Sequence, residues 1–174
     1  MMSDVRRDHE TDSDVHRRYG EKTRKAVEAV PDGKADWKPH DKAMPFGRLA
    51  GLVAQMGGWI TMMIEQDEFD VAPATPQQSQ FSPQPKTRAE MAKAVDEGFA
   101  GAAKALAATT DDHLMKPWRL KARGNVVMEL PRHVMMRDAL MHLAHHRGQL
   151  TTYIRIAGGK VPSIYGPTAD EPSF

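Results

Sequence analysis

Polar and apolar positions alternate along this chain with a helical period in four places. From about Asp12, "DSDVHRRYGEKTRKAVEAV" sets its apolar residues on one stripe and its charges on the other, which predicts an amphipathic helix ending before Pro31-Asp32-Gly33. The next stretch, "PDGKADWKPHDKAMP", holds three prolines and is expected to be irregular. A second helix is predicted from about Phe46 to Gln66, apolar almost all round and therefore buried. Its Gly51, Gly57 and Gly58 weaken the helix locally, so they should mark a close backbone neighbour or a kink at Gly57-Gly58.

A long connection follows, "DEFDVAPATPQQSQFSPQPK", with four prolines. Its length predicts a crossover, with the second and third helices running parallel. The third helix, "TRAEMAKAVDEGFAGAAKALAAT", opens on Thr87 with Glu90 three residues later, the spacing of a capping box. "LMKPWRLKARGNVVMELP" has two short runs of strand character around Arg123-Gly124-Asn125, which predicts a two-stranded ribbon. The fourth helix should run from about Pro131 to Ala157, with proline at its first turn and Gly158-Gly159 at its end. "KVPSIYGPTADEPSF" is then an extended tail packed on the helices. The expected fold is all-α: a four-helix bundle with a long crossover between helices two and three and a small β-ribbon before helix four. Residues 1–12 are expected to be a mobile tail and 13–174 a single domain.

Composition narrows the function classes. The 174 residues include no cysteine, which excludes disulfides, thiolate metal sites and a cysteine nucleophile. No apolar run is long enough for a membrane span, and the charged N-terminus is not expected to be a secretory signal, so a cytoplasmic location is expected. Basic and acidic residues number 24 and 23, and in residues 1–30 the two signs match at seven each, which argues against a nucleic-acid partner. A local excess, five basic residues against Glu129 between Lys116 and Arg132, is read as a solvated ribbon rather than an anion guide.

The candidate chemistry lies in "LMHLAHHRGQL". His142 and His146 are spaced i, i+4, so their Cβ atoms stand about 5–6 Å apart on one helix face. Two imidazoles so placed can converge on a divalent ion such as Zn, Ni or Fe. His145 lies about 100° around the helix from His146, on another stripe. Asp138 and Gln149 share the face of the pair as candidate partners that orient the ligating rings, and Tyr153 as a candidate proton donor. Ordinary helices also carry histidine pairs at this spacing, so spacing alone leaves both readings open. A third ligand could come from His16, His40, His113, His133 or Glu65.

"MHLAHHRGQLTTYIRIAGGKVPSIYGPTADE" resembles the C-terminal signature of the DinB-like superfamily of DinB/YfiT-type metalloenzymes. "DWKPHDKAMPFGRLAGLVAQMGGW" and "MKPWRLKARGNVVMELPRHVMMRDAL" resemble the family's approaches to helices two and four, and the likeness spans about Thr23 to Glu171. The resemblance implies a four-helix bundle, frequent homodimers, and a metal held by three histidines. Two of these are on helix four, matching His142 and His146, and one is on helix two. It also implies thiol-cofactor-dependent transferase or isomerase chemistry in some members; hydrolase-like chemistry is a further expectation. This chain departs at the helix-two position: where the family has the type L-A-x-H-x-A, it reads Leu49-Ala50-Gly51-Leu52-Val53-Ala54, so Leu52 stands at the ligand position. Three functions follow as expectations. The first is a metal-dependent enzyme on a partly degenerate site, any thiol coming from a low-molecular-weight cofactor. The second is a metal-free small-molecule binder using the histidines as an acid/base pair. The third is a dimeric interaction module.

Overall fold

A computed structural model describes residues 12–75 and 83–172, with side chains from Arg17 onward. The predicted tail therefore lies outside the described residues except for Asp12, which opens α1 (Asp12–Glu28). This helix buries Thr23, Ala26 and Val27 on one side and pairs Arg24 with Glu28 at 3.0 Å on the other. The predicted second helix is two: α2 (Phe46–Gln55) and α3 (Trp59–Glu65), joined by a 3-10 turn over Met56–Gly58. The break falls on the glycine pair, as their weak helix propensity leads one to expect. After the connection comes α4 (Arg88–Ala108), and the capping box at its start is formed in both directions, with the Glu90 N–H donating to Thr87 Oγ1 at 3.1 Å and the Thr87 N–H to Glu90 Oε2 at 3.0 Å. A five-residue helix not foreseen from the sequence, α5 (Asp111–Met115), is capped by the Thr110 hydroxyl. The last helix, α6 (Arg132–Ile156), takes Pro131 as its N-cap.

The chain is mostly helical, as expected, and the small ribbon is a three-stranded sheet rather than a two-stranded one. β2 (Pro117–Ala122) and β3 (Asn125–Pro131) pair antiparallel, and β1 (Glu68–Asp70) adds a parallel third strand on β2. A three-residue strand carries no periodic signal, and its neighbouring prolines read as loop. Phe69 holds it in place by burying its ring, while Asp70 reaches over the hairpin turn. There Arg123 and Gly124 both have positive φ, 53° and 78°, as a two-residue hairpin turn of the tight mirror-image type requires. Arginine is poorly suited to that conformation. The Asp70 carboxylate offsets the cost by accepting the N–H groups of Gly124 at 2.7 Å and Arg123 at 3.2 Å. The basic excess of this region is largely paired: Arg119 with Glu129, Lys121 with Glu68, and Arg132 with Asp67.

The α2–α3 segment and α4 run in the same direction. Gly51 lies against Pro85, Gly58 against Gly98, and Gly101 against Thr61, so the two numberings rise together. α1 runs opposite to α4, tied by Arg24 to Asp96 and by Asp32 to Arg88. The core has two parts. One, between α1, α2, α4 and the C-terminal half of α6, centres on Phe46, Leu49, Val53, Val95 and Leu150. The other lies under the sheet, around Ile60, Phe69, Trp118 and Met135. Among the described residues no helix is long and apolar enough to cross a membrane.

Two arginines are almost wholly buried. Arg132, at 1% exposure, donates to Met63 O at 3.0 Å, Pro117 O at 2.9 Å and Gln66 O at 3.3 Å, and pairs with Asp67. It thereby satisfies carbonyls at the end of α3 and the start of β2 from the first residue of α6. Arg147 donates to Thr23 Oγ1 at 2.9 Å and to the Tyr165 hydroxyl, which fastens the C-terminal segment across α6 onto α1. Burial pushes the Arg147 guanidinium pKa down, against the opposing pull of Tyr165 and Tyr19. The tail is also held by Arg155 on Asp170.

Two outcomes test this packing. A Cβ at residue 98 would sit 2.8 Å from the Gly58 nitrogen, a backbone atom that cannot swing away. In an isolated helix Gly→Ala would gain about 1 kcal/mol; here Gly98→Ala should instead lower stability by roughly 1–3 kcal/mol in urea unfolding, and a gain would refute the close contact. The second concerns pH. The Gly124 N–H above all, then those of Ala72 and Arg123 and the charge of Lys121, hold the Asp70 carboxyl below its ordinary range despite some desolvation. A depressed carboxyl adds stability that is complete above the unfolded pKa of about 3.9 and is lost as pH falls through the lower folded value. Unfolding midpoints of Asp70→Asn should therefore depend less on pH below about 4 than those of the native chain; identical profiles would contradict this role.

Candidate functional site

The face of α6 that faces the core carries Met135, Ala139, Leu143, Arg147, Leu150 and Ile154 at helical spacing. His142, His146 and Gln149 stand on its flank, beside the start of α3. The His142 and His146 rings lie 4.5 Å apart between centroids, tilted at 43°. Trp59, the first residue after the glycine break, puts its indole 5.8 Å from the His142 ring. Without that break Trp59 would point elsewhere, so the packing of α4 on Gly57 and Gly58 helps set this wall of the site. The His145 ring lies 5.1 Å from that of His146, closer to the pair than its place on the helix implied.

His146 Nδ1 is 2.7 Å from Gln149 Oε1. An amide oxygen only accepts, so that contact places a proton on Nδ1, and in the neutral ring the lone pair is then on Nε2. Desolvation first, and then the neighbouring His146 and His145, push the His142 pKa down and favour its neutral form. Neutral imidazole is the form that binds a metal or accepts a proton.

The other sequence-derived candidates are placed less centrally. Asp138 is exposed, one turn before His142, and forms an ion pair with Arg137 at 3.7 Å. Tyr153, two turns beyond His146, sits in an edge-to-face trio with Trp37 and Phe46, each ring 5.8 Å away. Leu52 is half-buried and packs on the core that contains Leu143 and Leu150. His113 contacts Ile64 O at 2.8 Å, His133 contacts Leu114 O at 3.2 Å, and His40 accepts the Lys42 N–H. Glu65 is exposed, and the His16 side chain lies outside the described ones. Among the described residues no group of three His, Cys, Asp or Glu could hold a metal. The three-histidine set that the resemblance implies is therefore not assembled among the described residues.

What the sequence did not disclose is an apolar cavity of about 220 Å³ opening beside His142, between α3, α6 and the sheet. Trp59, Phe69 and Trp118 supply its aromatic walls, and Asp138 and His142 its polar end. Of the strand residues that close it, Phe69 comes from the proline-rich connection, where no strand is predicted, while Trp118 and Leu120 lie on the predicted ribbon.

Comparison with known proteins agrees with this architecture. A crystal structure of a DinB-like protein, YjoA, from Bacillus subtilis superposes with a TM-score of 0.63 at 15% identity, covering 87% of this chain and 96% of that one. A crystal structure of a DinB-like protein from Bacillus cereus ATCC 10987 gives 0.61 at 20% identity, with 86% and 92% covered. In sequence, the uncharacterized protein YrdA of Bacillus subtilis (strain 168) is 40% identical over 53 residues, which span 30% of this chain and only 32% of YrdA. The family model described as "DinB family" matches residues 11–173, and the chain belongs to that family.

Proposed function

We propose that this chain is a four-helix-bundle enzyme of the DinB type that acts on a small molecule at the His142–His146 pair, where the two imidazoles hold a divalent ion weakly. The observation that carries this is the His146–Gln149 contact, which commits one ring nitrogen to Gln149 and leaves the other available beside His142, 4.5 Å away ring to ring. A divalent ion, when bound, would supply Lewis acidity or an activated water. The chain's own residues do the rest: Gln149 orients His146, and Trp59 stands beside the His142 ring. With no cysteine in the chain, any thiol in the reaction must come from a low-molecular-weight cofactor.

A second reading is metal-free, with the pair acting as hydrogen-bond partners or as acid and base. It is supported by Leu52, a leucine where the resemblance implies the third histidine. Titration of zinc or nickel into tag-free, chelator-treated protein separates the two. One weakly held ion per chain, lost in His146→Ala and weakened about 10–100-fold in Gln149→Ala, is expected; no heat in the native chain leaves the metal-free reading. Leu52→His should tighten the ion at least about tenfold, and no gain would mean that Leu52 does not face the pair.

The same proposal includes a homodimer. Val126, Val127 and Met128 are exposed on the edge strand β3, an apolar stretch that a second copy could cover. Light scattering should give twice the mass of one chain, and a Val127→Lys variant should give the single mass; a monomeric native chain refutes it.

A further inference from the structure

The cavity beside His142 has a chemistry distinct from that of the histidine pair. Its walls are almost entirely apolar, and three of them, Met62, Met63 and Met135, are thioethers that adapt to an occupant's shape. Trp118 is fully buried on another wall, and its indole Nε1 has no hydrogen-bond partner among the described residues. A buried N–H left unpaired is costly, and natural structures rarely leave one so without reason. The polar end is formed by the His142 ring and the Asp138 carboxylate. A carboxylate at the entrance disfavours an anionic ligand.

We propose that this cavity is the substrate-recognition pocket of the His142–His146 site, and that it takes a small uncharged molecule with one aromatic or branched aliphatic body and an oxygen acceptor that receives the Trp118 N–H. The size agrees. An apolar cavity of about 150 Å³ takes up benzene, and 220 Å³ leaves room for a ring with a short substituent. The position agrees as well, because Trp59 is shared: it lines the cavity and lies 5.8 Å from His142. A molecule seated there presents one end to the histidines. The inference rests on the His142–His146 site proposed above, but it needs no metal.

Acetophenone, an uncharged ring with one carbonyl acceptor, is the probe, with benzoate as its anionic counterpart. In a ¹H–¹⁵N spectrum of the full chain the three tryptophan indole N–H signals are resolved reporters, the Trp118 signal being assigned by Trp118→Phe. Acetophenone should shift the Trp118 and Trp59 signals saturably, with a Kd on the order of 1 mM, and leave Trp37 in place. Benzoate should bind at least about tenfold more weakly. Ala139→Leu fills the cavity from α6, and Val71→Trp covers it from its exposed rim, so acetophenone binding should be lost in both. Because Val71 is 41% exposed, that variant keeps the test valid if Ala139→Leu does not fold. An unshifted Trp118 signal, equal binding of benzoate, or unchanged binding in the variant or variants that fold overturns the proposal. Metal titration of the same samples keeps the two ideas apart: ion binding that survives in Val71→Trp while acetophenone binding was never present sinks the pocket alone. Acetophenone binding without any ion binding sinks only the metal reading.

Discussion

The contact between Gly58 and Gly98 constrains much of the rest of the molecule. α4 lies against the break between α2 and α3 at a distance that leaves no space for a Cβ on residue 98, and Phe99 fills the space that a Cβ on residue 57 would need. The break redirects the chain, so that α2 presents Phe46, Leu49 and Val53 to one part of the core while α3 presents Ile60 and Met63 to the other. Trp59 is the first residue after the turn, packed against both parts, and its ring meets His142 on α6. One side of the candidate site therefore depends on a backbone approach to a helix that contributes no ligand to it.

The helices were legible because each carries a long apolar stripe and a chemical end signal. Thr87 and Glu90 announce α4, Pro131 and Gly158 bracket α6, and the glycine pair marks the break in the second helix. The sheet was only half legible. β2 and β3 could be found from their hairpin turn, but β1 has three residues and pairs with a strand some fifty residues later. Its stability comes from Phe69 in the core and from Asp70 gripping the Arg123-Gly124 turn, both nonlocal contacts that leave no pattern along the sequence. The small helix α5 is missing from the sequence reading for the same reason of length.

At the candidate site, spacing alone placed His142 and His146 together, and one turn further it placed Gln149 within reach of His146. What helical spacing does not give is the path of a side chain or the neighbouring element. Thus His145 comes nearer to the pair than its stripe suggests, Tyr153 stands within an aromatic trio, and Asp138 pairs with Arg137. The buried arginines were also beyond pattern reading, since charged residues at helical spacing usually mean a wet surface. Arg132 earns its burial through three backbone carbonyls as well as Asp67, and Arg147 is held by hydroxyls, a carbonyl and the faces of Tyr19 and Tyr165. Both stitch together elements far apart in sequence.

Under the metal reading proposed above, Leu52 bears on the site in two ways. A leucine where the resemblance implies a histidine would remove a donor and weaken any hold on an ion, while its side chain packs on the core. Apolar surface also lies beside His142, where the cavity wall is built from tryptophan, phenylalanine and methionine and, among the described residues, Asp138 is the charged group that lines it. In the proposed site, a partner that left the two imidazoles unpaired would forfeit their hydration without return. Under the pocket reading proposed above, selectivity would come from apolar fit combined with a few hydrogen bonds rather than from the charge of an ion. That division of labour is the one expected of small-molecule pockets in general, where shape supplies the affinity and a few polar groups fix the orientation.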